Sequence, residues 1–182
     1  MQVCRTRHRA ETTVAQWSAC DALVLKWVSL VVKDRLPIHV SCTHVAGHRA
    51  GRDALKHITG HLQSGMTHVW RTDIRGYYKQ INKHQLYQHV CRYVTSPVLQ
   101  SLVLQYLTYS VEDGGEFYTP PSGICRGCSL SPLFGASFLW DVDQKLSDVP
   151  GLFYVRYMDD FLVLSARRWG GEEGSPTLAR GL

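Results

Sequence analysis

The sequence predicts an α+β domain, with helices packed on one face of a small antiparallel sheet. Three observations carry that prediction. Two apolar runs, Leu152-Phe153-Tyr154-Val155 and Phe161-Leu162-Val163-Leu164, flank a short join and read as a β-hairpin. A third strand pattern, His68-Val69-Trp70-Arg71-Thr72-Asp73-Ile74, lies upstream and ends in an acid. Elsewhere apolar residues recur at helical spacing.

In chain order, Ala22 to Val32 reads as a helix with Asp21 as its N-cap, ended by Leu36-Pro37. Residues 40–52, rich in His, Gly and Arg, read as a loop, and Asp53 to Leu62 as a short helix closed near Gly65. After the strand at 68–74, Gly76 allows a turn and Asn82 caps a helix from Lys83 to Tyr93. Ser96 or Pro97 starts another helix, reaching Tyr109. Glu112-Asp113-Gly114-Gly115-Glu116 is a hairpin turn leading into Phe117-Tyr118-Thr119, and Pro120-Pro121-Ser122-Gly123 breaks the pattern. Ser131 and Pro132 open a helix running to about Leu146, and Pro150-Gly151 precedes the last hairpin. After Ser165 the composition changes, and Gly170 to Pro176 reads as a flexible tail.

A chain of 182 residues with 45% hydrophobic content suits one domain with a real core and excludes a disordered protein. No apolar run reaches the length of a membrane span, and no signal core follows the basic N-terminus. Six cysteines without a signal peptide imply free thiols in a reducing, cytoplasmic setting. The net charge of +5 is uneven: residues 1–60 hold nine Lys/Arg against four Asp/Glu, and the remainder is balanced. A basic segment beside a neutral, carboxylate-bearing one suits a polyanionic partner.

The chemistry centres on Tyr157-Met158-Asp159-Asp160, at the join of the hairpin. An Asp-Asp doublet is by itself usually a solvated turn, but adjacent carboxylates repel unless a cation lies between them. Hard divalent ions such as Mg²⁺ take such oxygen ligands. If the strand ending at Asp73 pairs beside the hairpin, three carboxylates meet at one end of the sheet. Two ions about 3.5–4 Å apart, held there, activate a hydroxyl and neutralise a transferring phosphoryl group. Between these acids lies Gly123-Ile124-Cys125-Arg126-Gly127-Cys128-Ser129-Leu130-Ser131-Pro132-Leu133. Gly123 and Gly127 permit close backbone approach, and Arg126 suits a phosphate or a base. Competing metal readings exist: Cys125 and Cys128 form a C-x-x-C pair, and Cys42, His44 and His48, with His57 and His61, have zinc-like spacing. Such histidines are more often surface or hydrogen-bonded groups.

Three motifs in this order resemble the palm of reverse transcriptases, particularly bacterial retroelement enzymes related to group II intron and retron polymerases. They are Asp73-Ile74-Arg75-Gly76-Tyr77-Tyr78, Gly123 through Leu133, and Tyr157-Met158-Asp159-Asp160. Trp17 to Lys26 and Cys42 to Lys56 are similar to the finger-side region. The resemblance implies a polymerase palm over 67–166, a basic, partial fingers region over 1–66, and an aberrant or flexible tail over 167–182. It implies that Asp73 and Asp159 ligate two Mg²⁺ ions, or Mn²⁺, with Asp160 in support and the Ile74 carbonyl on one ion. Tyr78 falls beneath the incoming sugar, where a 2′-hydroxyl would clash; Arg126 and Gly127 fall at the nucleotide. Tyr157 and Met158 fall beside the primer and template. Arg126 stands where many relatives carry Gln, and Cys125 replaces a common Pro.

The implied reaction is RNA-directed DNA synthesis: a primer 3′-hydroxyl attacks the α-phosphorus of a deoxynucleoside triphosphate and pyrophosphate leaves. The implied partners are an RNA template with a DNA or RNA primer and a cognate structured RNA, without a membrane. The alternative is a catalytically inactive remnant or a maturase-like RNA-binding fragment. About 70 residues precede Asp73 and about 20 follow Asp160. Against the family's fingers and thumb this reads as a truncated chain, thumb absent, with little processive synthesis.

Overall fold

The computed structural model describes residues 3–9, 12–45 and 50–168, and its class is the α+β expected from sequence, with an unexpected hairpin at its start. Strands β1 (Val3–Arg9) and β2 (Thr12–Gln16) form a hairpin, followed by helices α1 (Ala19–Val32) and α2 (Ala50–Gln63). Strand β3 (His68–Asp73) leads into the single turn α3 (Tyr77–Gln80), then α4 (Lys83–Tyr93) and α5 (Pro97–Leu107). A short hairpin, β4 (Ser110–Asp113) and β5 (Glu116–Tyr118), precedes α6 (Leu130–Phe138) and α7 (Trp140–Ser147). The last hairpin is β6 (Leu152–Tyr157) and β7 (Asp160–Ser165).

Local chemistry explains most boundaries. Asn82 caps α4 as expected, its side chain accepting from the Gln85 N–H at 3.0 Å. Pro97 opens α5, where its missing N–H costs nothing. Several boundaries differ from expectation: α2 begins at Ala50, inside the stretch 40–52 read as a loop, and three others follow. Ser18, not Asp21, is the N-cap of α1: its hydroxyl accepts from the Asp21 N–H at 3.1 Å and donates to the Asp21 carboxylate at 2.7 Å. Helix α5 stops at Leu107, so Tyr109 lies past its end. The helix expected from Ser131 to Leu146 is two, broken at Leu139. The Gly170–Pro176 tail lies outside the described residues.

There are two sheets among the described residues. One has the order β3-β7-β6, antiparallel throughout as expected, with β7 central. The other, of order β2-β1-β4-β5, was not expected; β1 pairs in parallel with β4, Val3 opposite Ser110. The β1 sequence, Val3-Cys4-Arg5-Thr6-Arg7-His8-Arg9, has no apolar alternation to announce a strand. Its partner β4 lies over a hundred positions away.

One continuous core joins these parts. Leu86 and Val90 of α4, Val103 and Tyr106 of α5, and Leu130 and Phe134 of α6 are fully buried. Tyr154, Phe161 and Val163 of the three-stranded sheet pack against them, as do Trp17 and the α1 residues Leu25, Val28 and Val32. Full burial of one such side chain contributes about 1.5–3 kcal/mol. Alternation turns Phe153 to the opposite face, where it stacks on His61 of α2 at 4.1 Å. The outer edge of β6 is closed by residues 41–43: the Arg156 N–H donates to the Ser41 carbonyl at 2.8 Å, and the Thr43 N–H to the Arg156 carbonyl at 2.9 Å. Among the described residues no helix is long and apolar enough to cross a membrane.

Candidate active site

Strand pairing brings the acidic residues to one end of the three-stranded sheet. Asp73 lies directly opposite Asp160, and Tyr157 flanks Asp160 on the other side. Beyond the last pair, the Ile74 N–H donates to the Asp159 carbonyl at 3.1 Å, which fixes the hairpin tip beside the end of β3. Directly opposed residues project from the same face, with Cβ atoms about 4.5–5.5 Å apart, and like charges there are destabilising. Arg71, two positions before Asp73 on the same strand, answers one of them. Its guanidinium donates to Asp160 Oδ1 at 3.0 Å from one terminal nitrogen and at 3.3 Å from Nε.

Asp73 is exposed and Asp159 and Asp160 half-buried, so the edge is open to solvent. Among the described residues no group of three or more His, Cys, Asp or Glu closes into a metal cluster. The carboxylates share an edge, with Asp160 turned to Arg71. The Ile74 carbonyl accepts from the Tyr77 N–H at 3.1 Å and retains a second lone pair. Hard oxygen donors at an open edge, with two opposed charges that a cation would relieve, fit Mg²⁺ or Mn²⁺.

The hairpin tip is strained. Met158 has a φ of 55°, in the left-handed region that a non-glycine residue enters at a cost of about 1–3 kcal/mol. Both its backbone polar groups are held by side chains. Its N–H donates to His44 Nδ1 at 3.0 Å, and its carbonyl accepts from Arg156 Nη1 at 2.7 Å. Arg156 is wholly buried and forms a two-point ion pair with the wholly buried Asp143 of α7, Nε to Oδ1 at 2.7 Å. The Ala136 carbonyl accepts from Arg156 at 3.1 Å, and the Tyr154 hydroxyl donates to Asp143 at 2.6 Å. Burial works against the Arg156 charge, but the hydrogen bonds it donates to the Asp143 carboxylate outweigh it and raise its pKa.

Sequence reading did not find Asp143, Tyr154 or Arg156. The signal was an arginine on the inward alternation of a strand, Leu152-Tyr154-Arg156, and an aspartate on the buried side of a helix.

Just after β3, Gly76 takes the left-handed conformation (φ 66°) that starts α3 and turns Tyr78 into the fold. Tyr78 is buried; its ring lies against Gly135 of α6, with the Arg126 guanidinium 5.9 Å from the ring centre. Its hydroxyl is buried without a hydrogen-bond partner among the described residues, and burial, then the charge of Asp159, pushes it up to about 12. Gly123, at φ 80°, ties its segment to α3: its N–H donates to the Ile81 carbonyl, and the Ile124 N–H to the Tyr78 carbonyl, each at 2.8 Å. Gly127 approaches the β2 backbone, since a Cβ there would meet the Ala15 carbonyl at 3.0 Å. Arg126 and Gly127 are exposed, as is Tyr157, whose ring lies 5.8 Å from that of His44.

Among the described residues, Cys42, His44 and Cys128 are taken up by burial and hydrogen bonds. Burial pushes the Cys128 thiol up to about 11, and its sulfur accepts from the Leu130 N–H at 3.3 Å. Burial likewise raises the Cys42 thiol to about 11. His44 has both ring nitrogens engaged, Nδ1 by Met158 and Nε2 by the Pro132 carbonyl at 3.1 Å. His48 lies outside the described residues.

Residues 20–177 match the reverse transcriptase (RNA-dependent DNA polymerase) family. Among curated proteins, none matches the chain. Solved structures similar to it include a partial Cas6-RT-Cas1–Cas2 complex, at 18% identity and a TM-score of 0.52 over 90% of this chain and 29% of that one. A second Cas6-RT-Cas1–Cas2 complex matches with the same identity, score and share of this chain, over 18% of its own chain. Apo telomerase from Candida tropicalis, truncated from its C-terminal domain, matches at 13% identity and a TM-score of 0.52, over 82% of this chain and 34% of that one. The chain thus spans about a third or less of the length of these structures, and the likeness is one of fold. With the family match over most of its length, the chain belongs to the reverse transcriptase family.

Proposed function

We propose that the chain forms the palm of an RNA-directed DNA polymerase, which adds deoxynucleotides to a primer 3′-hydroxyl on an RNA template. The observation that carries this reading is the register of β3, β7 and β6, which sets Asp73 opposite Asp160 and places Asp159 at the strained tip beside them. Asp73 and Asp159 are the metal-holding carboxylates, with the second lone pair of the Ile74 carbonyl available to one ion. Asp160, tied to Arg71, supports the edge. Bound divalent ions, Mg²⁺ or Mn²⁺, would lower the pKa of the primer hydroxyl and neutralise charge on the phosphoryl group.

The other residues position substrate. Tyr78, walled by Gly135, presents a fixed ring where the sugar of a deoxynucleoside triphosphate would lie, and Arg126 and Gly127 are exposed beside it. Tyr157 and Met158 offer an exposed aromatic ring and the hairpin tip to the primer end. The basic residues before Asp73 suit the backbone of the template or of a cognate structured RNA. A cytoplasmic location accompanies this reading.

Primer extension on an RNA template with Mg²⁺ tests it. Wild type is expected to extend, and Asp159→Ala to lose at least about a hundredfold in rate, the scale of losing a main electrostatic contribution. Extension by neither protein, with RNA binding insensitive to Mg²⁺ and to the substitution, would overturn the reading in favour of an RNA-binding role.

A further inference from the structure

We propose that His44 is a positioning residue for the catalytic hairpin tip, held as the neutral Nε2–H tautomer and acting through the Met158 backbone. The inference deepens the polymerase reading of this site and rests on it for its functional consequence, though not for its geometry.

Three observations carry it. The tip residue Met158 is left-handed without being glycine: the two-residue turn calls for that conformation, and contacts from outside the hairpin offset its cost. The Met158 N–H, which no ladder bond uses, points at His44 Nδ1 at 3.0 Å. An N–H can meet Nδ1 only if that nitrogen is unprotonated. Nε2 lies 3.1 Å from the Pro132 carbonyl, which can only accept, so Nε2 carries the proton. The two contacts therefore select one tautomer. The segment of buried Cys42 and half-buried Thr43 and His44 is itself fixed, because residues 41–43 extend the sheet along β6.

His44 thus bridges two motifs that lie far apart in sequence. Pro132 belongs to the glycine-bearing segment that carries Arg126 and Gly127, and Met158 to the tip that carries Asp159. The same residue that braces the carboxylate tip fixes its distance from the nucleotide side. Arg156 grips the Met158 carbonyl from the core, so His44 and Arg156 together determine the tip's backbone.

The test separates the two nitrogens. An asparagine at this position keeps an acceptor near the place of Nδ1, whereas a glutamine keeps a donor near Nε2. His44→Asn and His44→Gln are compared with wild type in three measurements: ring-nitrogen NMR of labelled histidine, the Met158 amide resonance, and Mn²⁺ affinity by electron paramagnetic resonance. The expected result is an Nε2–H ring in wild type at pH 7. His44→Gln should shift the Met158 amide and weaken Mn²⁺ binding by about tenfold, the usual range for a residue that orients a ligand. His44→Asn should restore both toward wild type. An Nδ1–H or doubly protonated ring at pH 7 would overturn the assignment, as would equal behaviour of the two variants. Wild type that binds no Mn²⁺ would instead sink the polymerase reading, leaving the tautomer and the amide shift to judge His44 alone. If His44→Gln does not fold, the wild-type tautomer still decides.

Discussion

Tyr78 sits in a slot with no spare volume on its Gly135 side. A Cβ on Gly135 would lie 2.9 Å from the Tyr78 hydroxyl oxygen and 3.0 Å from a ring carbon, while the Tyr77 hydroxyl donates to the Gly135 carbonyl at 2.8 Å. Gly135→Ala must therefore displace the ring of Tyr78 or shift α6. Overpacking of this kind costs about 1–3 kcal/mol. Urea denaturation should show that loss, and single-nucleotide incorporation should show weaker rejection of ribonucleotides, because the ring no longer stands where it did. Tyr78→Phe has the opposite sign for stability. It deletes a buried hydroxyl that has no partner among the described residues, a group whose desolvation costs about 1–3 kcal/mol. The variant should be as stable as wild type or more so by about 1 kcal/mol. A clear loss of stability would mean that the hydroxyl has a partner in solution.

The elements meet at the buried pair of Asp143 on α7 and Arg156 on β6, with Tyr154 beside it and the hairpin tip above. Removing one member strands the other charge in the core, at a cost of about 3–5 kcal/mol. Asp143→Ala should lower the unfolding free energy by that amount and loosen Met158, whereas Asn82→Ala, which removes only a helix cap, should cost about 1 kcal/mol. Calorimetry on the two variants distinguishes these scales. The contrast also shows what was legible in the sequence. The Asn82 cap, the Pro97 start and the two strands around Asp159 depend on near neighbours, and they lie where their residues indicate. Asp73 and Asp160 could be placed on one edge because a strand that ends in an acid has few ways to join a hairpin. The β1–β4 pair, the Arg71–Asp160 contact and the bracing of Met158 by His44 were not legible. Each depends on register or tertiary distance, and in sequence His44 showed only zinc-like spacing or the ordinary prospect of a surface or hydrogen-bonded histidine, with nothing to point to Met158. The break at Leu139 was missed for the opposite reason, since apolar periodicity continues through it.

At the scale of the whole molecule, its buried titratable groups define a pH window for the fold. Burial lowers the pKa of His44, and burial likewise lowers that of His89, whose Nε2 lies 2.8 Å from the wholly buried Ser137 hydroxyl. In the unfolded chain both rings take up protons near the ordinary value of 6.5. Below that pH the unfolded state binds more protons than the native state, so stability falls as pH falls. At the alkaline end, burial holds Tyr77, Tyr106 and Tyr154 protonated above the ordinary value of 10.0, with the Asp143 charge adding to the shift at Tyr154. There the unfolded chain loses protons first, and stability falls as pH rises. The unfolding free energy should therefore be highest between about pH 7 and pH 9 and decline on both sides. Urea titrations from pH 5 to pH 11 would measure the curve. Substituting His89 with Gln, which keeps a polar group near the place of Nε2 for Ser137 but cannot titrate, should flatten part of the acid limb and leave the alkaline limb unchanged. An acid limb unaffected by that change would assign the loss to His44 or to carboxylates instead.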